Sequence, residues 1–118
     1  MTDLIACLSA ENSSSSHVSK VIEGQAWGKI ILVANEATNQ KFSTDKPAER
    51  VVIDIKQPVE EIIKHLAKQF KEKITDTEVA VNLASGSGKE HMAILSAVMK
   101  AGLAFRLIAL TKDGVKEI

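Results

Sequence analysis

The sequence predicts an α/β domain with a Rossmann-like, three-layer arrangement, helices covering both faces of a mainly parallel sheet of about six strands. Three observations carry that expectation. Apolar runs of strand length alternate with amphipathic helical segments almost from end to end. The runs are apolar at successive positions instead of alternate ones, which is the pattern of strands buried on both faces. The last two strand-like segments are joined by a turn signal, which marks a C-terminal antiparallel edge hairpin. With 118 residues, 45% apolar and 25% charged, the chain has the size and balance of one globular domain covering residues 1–118.

The elements follow in order. Residues 4–8 form a continuous apolar run and read as the first strand. Ser9, Ala10, Glu11, Asn12 and four serines come next, and such residues favour turns and helix N-caps, so a helix should begin here. Val18, Val21, Ile22 and Ala26 fall at helical spacing, and Gly24 and Gly28 bring that helix to a close, with Trp27 packing at its end. Residues 29–34 are the second strand. Residues 35–50 are polar and too long for a simple turn, with room for a short helix. Residues 51–55 are the third strand, after which Pro58 suits the first turn of a helix. Val59, Ile62, Ile63, Leu66, Ala67 and Phe70 repeat on one helical face, with charged residues opposite. Residues 77–83 are the fourth strand, residues 90–101 an alanine-rich helix ended by Gly102, and residues 103–110 the fifth strand. Thr111-Lys112-Asp113-Gly114 is a turn, and residues 115–118 fold back as the edge strand.

Composition narrows the function. Fifteen basic and fifteen acidic residues cancel, so the chain lacks the basic footprint that grips long DNA or RNA, while a small anionic ligand stays compatible. The single cysteine, Cys7, rules out an internal disulfide, and its apolar neighbours predict a buried, unreactive thiol in an intracellular protein. The opening segment is short and has no basic lead-in, so it reads as neither signal peptide nor membrane span; a cytoplasmic protein without a membrane partner is expected. His17, His65 and His91 are scattered, with no cysteine or paired carboxylate at ligand spacing, and neither a metal nor a cofactor is expected. No catalytic triad can be argued from spacing.

In open α/β sheets, ligands bind outside the carboxyl ends of the strands, near the point where strand order reverses. Three loops qualify: residues 9–16 after the first strand, beginning Ser9, Ala10, Glu11 and Asn12; Asn35 and Glu36 after the second; and residues 84–89, with Ser85-Gly86-Ser87-Gly88-Lys89, after the fourth. In the last, glycines let the backbone approach a ligand, the amides opening the next helix point at it, and Lys89 adds a positive charge. It is not a Walker A loop, because Leu83 stands where that pattern has glycine and Glu90 where it has Ser or Thr. The loop reads either as a tight strand-to-helix turn or as an anion cradle, and Lys89 favours the cradle. His91, in the first helical turn, is a candidate contact for a phosphate or sugar. Glu11 is a candidate general base or a solvated loop carboxylate. Met92 and Met99, seven apart on an apolar helix, suit the core or a subunit contact.

The stretch Val79-Ala80-Val81-Asn82-Leu83-Ala84-Ser85-Gly86-Ser87-Gly88-Lys89, continuing through His91-Met92-Ala93 to Ala101-Gly102, resembles the CARF domains, the CRISPR-associated Rossmann-fold family. That family shows a strand ending in Asn or Asp, a small Gly/Ser/Thr-rich loop with Lys or Arg, and an alanine-rich helix. The strand-one end at Leu8-Ser9-Ala10-Glu11 and the turn around Asp113-Gly114 also fit, so the resemblance covers most of the chain. It implies a homodimer that binds a cyclic oligoadenylate, commonly the four-adenylate ring, across its two-fold axis, as a sensor in antiviral defence. Some members, the ring nucleases, also cleave that ring without metal, a 2′-hydroxyl attacking its own phosphodiester. The resemblance then places Ser9 or its neighbours as ligand-positioning groups and Lys89 as the group stabilising charge on the reacting phosphate. Many members join this domain to an effector domain; the sequence ends with its sheet, so a standalone binder, a ring nuclease and a piece of a longer protein are all compatible. An association subunit, or a nucleotide-binding protein outside this family, is the further alternative.

Overall fold

The apolar runs assemble into a single sheet. The computed structural model describes residues 1–8 and 12–118, with the side chains of 12–14 excepted. Among the described residues, six strands, β1 (Asp3–Cys7), β2 (Ile30–Ala34), β3 (Glu49–Val52), β4 (Glu78–Asn82), β5 (Ala104–Thr111) and β6 (Gly114–Glu117), lie in the order β3-β2-β1-β4-β5-β6. The first five are parallel; β6 turns back antiparallel on β5, with Thr111 opposite Gly114. Among the described residues, four helices, α1 (Asn12–Glu23), α2 (Glu36–Lys41), α3 (Val59–Lys73) and α4 (Gly88–Lys100), accompany the sheet. The chain builds outward from β1 to β3 and then crosses to β4 on the other side of β1. Strand order therefore reverses between β1 and β4, whose registers set Ala6 beside Asn82.

Alternation along the strands divides the core into two layers. On one face, Ile5, Cys7, Ile31, Val33, Val79 and Val81 meet Ile62, Leu66 and Phe70 of α3 and Ala93, Ile94 and Val98 of α4. On the other, Leu4, Ala6, Leu32 and Ala80 meet Val18, Val21 and Ile22 of α1. Every residue of β1 is buried, which is why its sequence shows no alternation. Trp27 is buried at the end of α1, its indole N–H donating to the Val21 carbonyl at 3.0 Å. Gly102 closes α4 at φ +77, its amide on Met99 O and the Leu103 amide on Val98 O, the paired bonds of a Schellman ending.

The polar stretch after β2 holds the short helix for which it has room, α2, capped by Asn35. The bounds of one strand depart from expectation. The third strand runs over Glu49–Val52, beginning two residues before the apolar run and leaving the sheet within it. Glu49 and Arg50 pair with Ile31 and Leu32 as an edge strand, where polar residues are tolerated. A turn then draws the chain away: the Gln57 amide donates to Asp54 O and the Lys56 amide to the Asp54 carboxylate.

Candidate functional site

The turn from β4 into α4 is fixed by three residues of the glycine loop and one buried carboxylate. Gly86 has φ +106, and a Cβ there would stand 2.6 Å from Cys7 Sγ, so glycine lets the loop settle directly on the end of β1. Ser87 caps α4: its hydroxyl accepts the Glu90 amide at 3.3 Å, and Glu90 Oε1 accepts the Ser87 amide at 2.8 Å, a reciprocal capping box. Glu90 is 7% exposed, and its second oxygen accepts the Cys7 S–H at 3.9 Å. Burial, with the Glu90 carboxylate adding to it, holds the Cys7 thiol protonated far above the ordinary thiol range. His91 turns inward, its Nε2–H donating to Ser85 O at 2.7 Å and its amide to Ser87 O at 3.0 Å.

Lys89 also turns to the protein. Its ammonium donates to Ile55 O and Gln57 O, both at 2.7 Å, and so straps the loop after β3 to the start of α4. Two of its three donors are thereby used on carbonyls. The amides of Gly86, Gly88 and Lys89 have no hydrogen-bond acceptor among the described residues. The capacity to hold an anion therefore lies in this backbone and the helix end, with the Lys89 charge close by. Ser85 is buried beneath the loop.

The other expected site residues are more dispersed. Asn35 stands on the same rim, where its Oδ1 caps α2 by accepting the Thr38 amide at 2.8 Å. Ser9, Ala10 and Glu11 lie outside the described residues, and Asn12 opens α1 with its side chain likewise outside them. Among the described residues, no three His, Cys, Asp or Glu side chains come together as a metal site.

Two features escaped the sequence reading. Asn82, 1% exposed at the end of β4, donates to Ile108 O at 2.8 Å and to His17 Nε2 at 3.2 Å, and the Leu110 amide donates to the same histidine nitrogen at 3.4 Å. This network ties α1 to β4 and β5 beneath the switch point, while Asn82 Oδ1 has no partner among the described residues. An asparagine ending an otherwise apolar strand was the available signal. The second feature is a cleft of about 1080 Å³ along the carboxyl rim of β2 and β3, walled by α2, the loop after β3, and α3. Its lining comes from three separated segments, none of which carries a motif.

Fold and site together define a Rossmann-like α/β domain with a glycine-built loop at its switch point. No protein-family model matches the chain, and no curated protein shows significant similarity to it. Among the described residues, no helix is long and apolar enough to cross a membrane.

Proposed function

We propose that this chain is a nucleotide-binding sensor domain that takes a cyclic oligoadenylate, the four-adenylate ring by preference, at the β1/β4 switch point. One observation carries the reading: Gly86 draws the loop onto Cys7, so that the amides of Gly86, Gly88 and Lys89 lie at the sheet's rim without internal acceptors among the described residues. Phosphate oxygens are the natural partners of such amides at the start of a helix. The resemblance of residues 79–102 to CARF domains supplies the ligand class.

Binding without cleavage is favoured over ring-nuclease activity. A nuclease reading needs Lys89 at the reacting phosphate, and its ammonium is committed to two carbonyls of the loop after β3. A homodimer agrees with the apolar surface on α4 and the neighbouring hairpin, where Met92, Met99, Leu107 and Ile118 are exposed. Calorimetry with cyclic tetra-adenylate, beside ATP and a dinucleotide, tests the proposal. Saturable binding of the ring, which is recovered intact after incubation in EDTA, is the expected result. Linear products in EDTA would replace the sensor by a ring nuclease, and absence of binding to every nucleotide would remove both readings.

A further inference from the structure

We infer that the cleft along the β2–β3 rim is a nucleoside subsite, holding the base and ribose of a ligand whose phosphate lies on the glycine loop; this rests on the nucleotide reading above. The lining argues for a neutral, hydrogen-bonding and partly flat group. Its ammonium groups, Lys56, Lys64 and Lys68, are matched in number by the carboxylates of Glu36, Asp54 and Glu61, so the cleft is no trap for a bare anion. Ala37, Val52, Ile53 and Ile55 supply apolar surface on which a base can lie. Glu36 follows directly on the end of β2 and its Asn35 cap. One of its oxygens accepts from Gln40 at 3.2 Å, and the other has no partner among the described residues and is open to a ribose hydroxyl.

Lys89 makes the two sites neighbours. By holding Ile55 O and Gln57 O it fixes the cleft's wall against the first turn of α4, the same turn whose amides face the proposed phosphate. Phosphate and nucleoside positions are thus joined through one side chain, and Lys89 is a positioning residue for the cleft.

The test is amide chemical-shift mapping on the isotope-labelled protein with adenosine, inorganic phosphate and AMP as separate probes. Adenosine should perturb residues 36–37 and 52–57, phosphate should perturb residues 86–89, and AMP should perturb both. Ala37→Trp and Val52→Trp each fill the cleft from exposed positions and should weaken adenosine by about ten-fold or more, leaving the phosphate response unchanged. Adenosine shifts that map elsewhere, that are absent, or that survive both tryptophan variants would overturn the subsite. Adenosine at the cleft without any phosphate response at residues 86–89 would support the subsite and count against the switch-point reading on its own.

Discussion

Gly86 and Gly102 both have positive φ, yet their surroundings predict different costs of substitution. A Cβ on Gly102 meets nothing within 4 Å, so Gly102→Ala should cost only backbone strain, about 1 kcal/mol in a urea titration. At Gly86 the same strain adds to a contact with Cys7 Sγ, and Gly86→Ala should cost about 2–4 kcal/mol. Equal losses for the two variants would contradict the close approach of the loop to β1. Cys7 carries a second prediction. Its folded pKa is raised, so folded protein retains a proton that the unfolded chain releases, and the contribution is intact below the ordinary thiol pKa of 9.0. Above about pH 9, stability should fall by as much as about 1.4 kcal/mol per pH unit. The slope difference between wild type and Cys7→Ala isolates this from lysine titration. The composition of the glycine loop was plain in the sequence, but the direction of Lys89 was not: a lysine beside glycines reads as an anion ligand until its acceptors on the loop after β3 are seen.

At the scale of elements, α3 was the most legible because its apolar stripe and its burial coincide: Ile62, Leu66, Ala67 and Phe70 are its buried positions. The third strand was less so, since backbone pairing to β2 carries Glu49 and Arg50 into the sheet without any apolar signal. The contact between α4 and the loop after β3 was invisible for a related reason: it joins a side chain to carbonyls, which every residue has. Lys89→Met should raise amide hydrogen exchange across residues 54–57 in the free protein, with α4 itself unaffected. A charge acting only on ligand would leave that exchange unchanged. Asn82 binds elements in the same way, and Asn82→Ala should cost about 1–3 kcal/mol by stripping the Ile108 carbonyl and the His17 ring of a buried partner. Thermal unfolding of the variant measures it.

The fold class was read correctly from alternation and run length because a parallel sheet covered on both faces imposes a pattern that few other folds produce. The candidate site was half legible: the switch point follows from topology, whereas the cleft needs β2, β3 and α3 assembled. The proposed self-association belongs to this scale. Met92 and Met99 are 62% and 61% exposed on α4, beside the hairpin that carries Leu107 and Ile118. Met92→Glu with Met99→Glu should shift sedimentation from dimer to monomer while preserving the far-ultraviolet dichroism; a dimer unchanged by both would place its contact elsewhere.

The uneven cover over the sheet also sets an order of opening. β1, β2 and β4 lie under helices on both sides, while the β5–β6 hairpin has Ile108, Leu110 and Val115 anchored toward α1 and presents Leu107 and Ile118 outward. Amide protection should therefore decline from the middle of the sheet toward β6, with the hairpin peeling away as the first cooperative unit at low denaturant.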